Sequence, residues 1–369
     1  MTHPFNFDRP VYMLLGLPVD CVNTPQAIAG LEQAALNRTP CFLSTPNLNF
    51  LVASHIDPAF RLSVIDSDLV VADGMPLVWA AKWMGIPLPE RVAGSTLVEL
   101  LRHSFGSRRA LKVFFFGGPE GIAAKASQIL AAEKSGLTGV GAYYPGFGTV
   151  DDMCQPEVVA QINAAQPDVV IVSLGAKKGQ QWIQRMRGQL EAPVISHLGA
   201  VVNFIAGTVA RAPVWMQRTG LEWVWRMYEE PSLFKRYWTD GKAYLTLLWN
   251  NVLPVRRQAQ KNAAFAASLS PVTVRTQNQP DGSTQISLEG RATEPDLAVV
   301  RETFKSVCGQ GAKSIEINLA QCQYADSAFM GLLCLLLKHQ RQTGQTLRVT
   351  GASAFVKQQF ALYGAGFLL

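Results

Sequence analysis

The chain is poor in the residues that most often carry metal, disulfide or serine chemistry. Its 369 residues include six cysteines and five histidines. The cysteines (Cys21, Cys41, Cys154, Cys308, Cys322 and Cys334) form no CxxC pair and read as reduced core residues rather than disulfides or metal ligands. The histidines show no metal-ligand spacing. Neither GxSxG nor HExxH occurs, which argues against serine nucleophiles and metal hydrolysis. Charged residues are only 16% of the chain, yet no apolar run reaches the ~18–20 residues needed to cross a bilayer. The opening MTHPFNFDRP lacks the basic-then-apolar layout of a signal peptide. These absences leave a globular, two-domain chain, expected in the cytoplasm, with no metal and no cofactor implied.

The charge that is present is unevenly placed. Residues 1–204 carry 15 Lys/Arg against 16 Asp/Glu, residues 205–262 carry 9 against 4, and residues 263–369 carry 9 against 7. The middle segment therefore holds most of the net +6, together with five of the eight tryptophans: Trp215, Trp223, Trp225, Trp238 and Trp249. Basic residues interleaved with aromatics suit an anionic membrane surface better than nucleic acid. A solvated helix face is the competing reading.

Residues 11–204 alternate short apolar runs with helical patterns. Strands are expected at Val11–Leu17, Cys41–Ser44, Leu69–Ala72, Leu111–Phe116, Gly139–Tyr143, Asp168–Ser173 and Pro193–Ser196. Helical stretches between them often open on Pro or a polar cap. This alternation predicts a Rossmann-like, mostly parallel sheet with helices on both faces. A helical appendage follows over 205–262, with runs at Val214–Glu229 and Ser232–Asn251 divided by Pro231. Residues 263–270 read as a linker, the small-residue stretch KNAAFAASLSP spanning Lys261–Pro271. Residues 271–369 form a second, small α/β unit that begins with two strands around the turn Gln279-Pro280-Asp281-Gly282.

Polar groups gather at the strand exits of the first domain, where open α/β sheets bind ligands. Thr45 and Asn47 follow one strand, and Asp73, just before Gly74, follows another. Gly117-Gly118 and then Gly175, Lys177 and Lys178 follow two more. The carboxyl edge of a parallel sheet and its helix N-termini favour anions. A glycine pair lets backbone N–H groups approach a phosphate, or simply makes a tight strand-to-helix turn. Asp73 is either a catalytic carboxylate or a turn and cap residue.

Taken together, TPNLNF, ADGMPLVWAAKWMG, ERVAGST, FFGGPEG, VSLGAKKGQQWI and RAPVWMQRTGLEWVWRMYEEPSLFKRYW resemble the WecG/TagA/CpsF family of bacterial glycosyltransferases over about residues 12–250. The resemblance implies metal-independent, inverting transfer of a sugar from a nucleotide diphosphate, most simply UDP. The acceptor is linked to polyprenyl diphosphate, in the assembly of exopolysaccharide and other cell-surface glycans. It implies Asp73 as general base with Thr45 and Asn47 beside it. Gly74, Arg91, Gly94, Gly117, Gly118, Gly175, Lys178 and Gln180 would contact substrate. Arg211, Arg218, Arg226 and Arg236 would close over the diphosphates, and the appendage would meet the inner face of the cell membrane. The family usually reads G-x-P-K-Q-E where this chain has Gly175-Ala176-Lys177-Lys178-Gly179-Gln180, and Thr96 and Asn203 stand where Asp is common. These departures bear on the donor sugar more than on the reaction.

The second unit resembles the STAS fold, in INLAQCQYADSAFMGLLCLLLKHQRQTGQTLRV. The loop that reads D-S-S-G in phosphorylated antagonists is Asp326-Ser327-Ala328-Phe329 here. The resemblance therefore implies an interaction or regulatory module, with a possible protein partner, rather than a phosphorylation switch. Ser327 remains a candidate helix cap. Two competing functions stay open. One is a catalytically weakened transferase serving as a scaffold. The other is a nucleotide-dependent oxidoreductase, which would need a glycine fingerprint that is missing.

Overall fold

The computed structural model describes residues 6–104, 109–280 and 282–369, without the side chains of Val214, Arg218 and Ser232. Asp281 of the expected turn lies outside the described residues. The chain folds as two compact units. One combines residues 1–21, 79–88 and 243–369; the other combines residues 22–78 and 89–242.

In the first unit, β1 (Val11–Leu14) and β2 (Leu17–Asp20) pair antiparallel in a hairpin. The single strand expected at Val11–Leu17 is split by a turn at Leu15 and Gly16, whose φ values of 50° and 93° are those of a tight hairpin. Among the described residues the hairpin forms a two-stranded sheet of its own, apart from the parallel one.

The second unit contains β3 (Cys41–Ser44), β4 (Leu69–Val70), β5 (Leu111–Gly117), β6 (Leu137–Tyr143), β7 (Val169–Ser173) and β8 (Val194–His197). They form one parallel sheet in the order β4-β3-β8-β7-β5-β6. Successive side chains of a strand point to opposite faces, and both faces are apolar here. Leu43, Val113, Phe115 and Ile171 enter one core cluster, whereas Phe42, Phe114, Phe116, Val170 and Val172 enter the other. Trp182 fills the second cluster, its ring centroid 4.1 Å from that of Phe116. The expected Rossmann-like α/β architecture is therefore present, and every strand of the sheet delivers its carboxyl end to the same edge.

The appendage is more broken than its periodicity suggested. Gly220, at φ 80°, ends the helix Val214–Thr219, so the expected run Val214–Glu229 becomes two helices, the second at Glu222–Glu229. A 3-10 turn at Pro231–Leu233 leads into the helix Phe234–Leu247. A π-helical turn at Leu248–Val252 then precedes Pro254, whose missing N–H and bulky ring a regular α-helix accommodates poorly.

The expected linker is helical almost throughout, because the helix Leu253–Ser268 runs through it. Ala263, Ala264, Ala266 and Ala267 are strong helix formers as well as small residues, and Arg291 donates to the Ala266 carbonyl near the helix end.

Beyond it, β9 (Thr273–Asn278), β10 (Ser283–Ala292), β11 (Ser314–Ala325) and β12 (Thr346–Thr350) form a mixed sheet in the order β12-β11-β10-β9. The long helix Ser327–Gln342 packs against β1 of the hairpin. A Cβ at Gly331 would stand 2.2 Å from the Val11 carbonyl oxygen, so the two backbones touch. Arg301 donates to the Phe7 carbonyl at 2.6 Å, Lys305 pairs with Asp8 at 2.9 Å, and Gly16 N–H donates to Tyr363 O at 2.9 Å.

Candidate active site

Two strand-exit loops of the parallel sheet and the loop that joins the helices Met75–Trp83 and Gly94–His103 are tied together by backbone hydrogen bonds. Val71 N–H donates to Ser44 O (3.0 Å), Asp73 N–H to Pro46 O (2.8 Å) and Val92 N–H to Ala72 O (2.9 Å). Asn47 caps the helix Leu48–Ile56, its side-chain oxygen accepting from Phe50 N–H. Gly74 lies against Asn47, where an added Cβ would meet the Asn47 Cα at 3.5 Å. Thr45, Asn47 and Asp73 are thereby fixed along one wall of a cleft of about 520 Å³, a size suited to a small-molecule substrate.

Asp73 is mostly buried in that wall, and the Gly94 N–H donates to its Oδ2 at 3.3 Å. A chain of charges that links Arg91 to the appendage acts on it. Arg91 pairs with Glu222 at 2.9 Å, and Arg226 approaches the other Glu222 oxygen at 4.0 Å. Burial pushes the Asp73 carboxyl up to about 7, with Glu222 adding to the rise and Arg91, Arg226 and the Gly94 N–H opposing it. Near neutral pH Asp73 can therefore both accept and release a proton. That is the condition for general base chemistry.

Of the other expected contacts, Gly74, Arg91, Gly94, Gly175, Arg226 and Arg236 line this cleft with Asp73. Arg211 does not. It lines a neighbouring cavity of about 300 Å³, where it pairs with Glu99 and bonds Thr96 and Gln217 at 3.1 Å each. The Phe204 ring joins the two sites, lying 5.9 Å from the Arg211 guanidinium and 5.7 Å from that of Arg226. The Arg218 side chain lies outside the described residues.

Four expected substrate contacts fall outside the cleft's described lining, each for a local reason. Gly117 and Gly118 have φ of 90° and 82°. A Cβ on Gly117 would stand 2.8 Å from Ser173 O, so this pair serves the tight strand-to-helix turn. Lys178 donates to Gly148 O at 2.7 Å. Gln180 is fully buried and donates to the Ser44 hydroxyl, which bonds that of Ser67. The departures from the family motif are absorbed the same way. Lys177 reaches Asp57 at 2.6 Å, and Gly179 leaves the room that the His197 ring occupies.

Glu222 matched the GLEW motif of the resemblance, without any hint that it bridges two arginines. Other cleft residues gave no signal of their own. Phe204 and His197 are single apolar or buried residues whose neighbours come from distant segments. Asp240 and Asn49 face the cleft across 191 positions of chain. The i,i+4 spacing of Arg236 and Asp240 was the one cue available.

Comparison with known proteins places this geometry. The model of the glycosyl transferase WecG/TagA/CpsF family matches residues 12–258. The chain belongs to that family. A second model, described as a Mlab, STAS domain, matches residues 276–369, and this chain ends in a STAS-like α/β domain.

Among curated relatives, the N-acetylglucosaminyldiphosphoundecaprenol N-acetyl-beta-D-mannosaminyltransferase of Bacillus spizizenii is 28% identical over 210 residues, covering 57% of this chain and 79% of that protein. The proteins of that name from Bacillus subtilis and Staphylococcus aureus are 28% and 24% identical, covering 56% and 58% of this chain and 78% and 82% of theirs. Among solved structures, the anti-sigma factor antagonist SpoIIAA in its unphosphorylated form matches 26% of this chain and 84% of its own, at 18% identity and a TM-score of 0.24. Among the described residues no helix is long and apolar enough to cross a membrane, and no cluster of His, Cys, Asp and Glu could hold a metal ion.

Proposed function

We propose that this family member transfers a sugar from a nucleotide diphosphate donor, UDP-linked, to a saccharide on polyprenyl diphosphate. The observation that carries the reading is Asp73. It is a carboxylate held near neutral titration by burial, backed by an N–H and faced by Arg91 and Arg226 across one cleft. The acceptor hydroxyl attacks the anomeric carbon, its proton passes to Asp73, and the bond from that carbon to the diphosphate oxygen breaks. One displacement inverts the centre. Arg91, Arg226 and Arg236 meet the charge that develops on the departing diphosphate.

The relatives' name supplies the acceptor to try first, N-acetylglucosaminyl diphosphoundecaprenol, and N-acetylmannosamine as one donor among several. Glucuronate and other hexoses belong in the same screen, since the Gly175–Gln180 segment departs from the family pattern. Within the appendage Trp215, Trp223, Tyr228, Phe234 and Trp238 are exposed, and Lys242 lies over the Trp238 ring. These side chains suit the inner, anionic face of the membrane that carries the lipid acceptor, in exopolysaccharide or related surface-glycan assembly. The STAS-like domain is a regulatory or interaction module of the same chain.

The test is transfer by the purified full chain from a panel of UDP-sugars to a short-chain polyprenyl-diphosphate N-acetylglucosamine. Turnover that Asp73→Asn abolishes supports the reading. Absence of turnover and of nucleotide binding across the panel overturns it in favour of a scaffold.

A further inference from the structure

The cleft that the arginines line also contains a second buried carboxylate that the proton transfer does not use. Asp240 is 5% exposed, lines the cleft, and belongs to the helix Phe234–Leu247 of the appendage. Asn49 Nδ2 donates to its Oδ2 at 3.3 Å. Among the described residues Oδ1 receives no hydrogen bond. Burial of the residue raises the Asp240 carboxyl, and a hydrogen bond to the oxygen left without a donor would offset part of that cost. Arg236, one helical turn away, is the nearby cation, and it lies over the Tyr237 ring at 5.2 Å rather than in an ion pair with Asp240.

We propose that Asp240, held by Asn49, is a specificity-determining residue that accepts a hydrogen bond from a hydroxyl or amide N–H of a substrate saccharide. The inference rests on the transferase reading above and deepens it. The chemistry of the partner follows from what an ionised carboxylate can do. It only accepts hydrogen bonds, so it selects a donor group, and it repels a diphosphate. The sugar's hydroxyl-rich ring is the part of either substrate that meets both demands, whereas Arg91, Arg226 and Arg236 suit the phosphates. Asp240 and the arginines thus divide the cleft between neutral polar and anionic parts of the ligand. The saccharide could come from the donor or from the acceptor.

The experiment uses the full chain and Asp240→Asn, which keeps the shape and removes the charged acceptor, with Asn49→Ala as a second variant that frees the carboxylate from its support. Binding is measured for UDP, a UDP-sugar, and a polyprenyl-diphosphate N-acetylglucosamine, alongside KM for each substrate. The expected result is unchanged UDP binding, with affinity for one saccharide-bearing substrate weakened roughly tenfold to a hundredfold by Asp240→Asn, the loss typical of a hydrogen bond to a charged group. The substrate affected names the source of the sugar. Equal affinities for all three ligands in folded variants overturn the assignment, as does an equal weakening of UDP and UDP-sugar. A wild-type chain that binds no nucleotide fails the transferase reading itself, an outcome separate from either.

Discussion

Two aspartates stand at the same local position in the two units, and their surroundings could hardly differ more. Asp73 leaves the parallel sheet just before Gly74 and the helix Met75–Trp83; Asp326 leaves β11 just before the helix Ser327–Gln342. Burial raises both, to about 7 and about 6. Asp326, however, is spent on backbone: Oδ1 accepts from Phe329 N–H at 2.9 Å and Oδ2 from Glu294 N–H at 2.8 Å. Asp73 receives one long hydrogen bond, from Gly94, and lines an open cleft with three arginines, Arg91, Arg226 and Arg236. A strand-exit Asp is thus a cap in one unit, and in the other it is left open to the chemistry proposed for it. The number of hydrogen-bond donors already aimed at each carboxylate separates the two.

The sharpest way to break this contrast is Asp73→Asn. It should lower kcat about 10²- to 10⁴-fold, the range expected for a lost general base, while the circular-dichroism melt stays cooperative. A variant that turns over at the wild-type rate removes Asp73 from the chemistry. Asp326→Ala should do the opposite, leaving kcat within about twofold but costing about 1–3 kcal/mol of stability through the lost cap and the orphaned Glu294 N–H. A thermal melt combined with the transfer assay reads both.

A third variant tests the packing beside Asp326. Helix propensity alone would make Gly331→Ala stabilising by about 0.5–1 kcal/mol. The added Cβ would sit 2.2 Å from backbone oxygen, so overpacking of about 1–3 kcal/mol should win. Faster amide exchange over residues 11–20 would register it, and unchanged exchange would mean that the close contact is absent in solution.

The remaining predictions concern pH. Since the folded Asp73 holds its proton up to about 7 and an unfolded Asp only to about 3.9, its contribution to stability is full below pH 4 and is lost as pH rises through 7. Asp73→Asn should therefore melt higher than wild type at pH 8 and like it at pH 4. With Asp73 as the proposed general base its ionised form does the work, so kcat/KM should rise through pH 7. Glu222→Gln should move that limb to lower pH, because it removes a negative neighbour and frees Arg91 and Arg226 to favour the carboxylate. A limb that stays in place would show that Glu222 does not act on Asp73.

Strand and helix alternation made the α/β sheet legible in the sequence, because a buried parallel strand needs an apolar run and a helix needs its cap. Thr45, Asn47 and Asp73 were legible as strand-exit residues. Gly117 and Gly118 were not resolved, since a phosphate cradle and a tight turn demand the same glycines; only the approach to Ser173 O decides between them. Asp240 escaped because its partner Asn49 is distant in sequence, and Phe204 because an apolar residue in a helix ordinarily reads as core. The alanines of 263–267 read as linker when their helix propensity and their smallness pointed in different directions. The turn at Leu15-Gly16 went unnoticed for a simpler reason: Leu rarely takes positive φ.

The hairpin has a consequence in time. Phe7 and Arg301, which bond in the finished protein, are 294 residues apart. At synthesis rates of 5–20 residues per second, the first strands of a nascent chain would wait roughly 15–60 s for the surface they pack on. During that interval a two-stranded ribbon whose residues, Tyr12 apart, are buried in the finished protein is a ready template for other strands. Chaperone demand and aggregation on overexpression should therefore depend on how quickly the last hundred residues leave the ribosome.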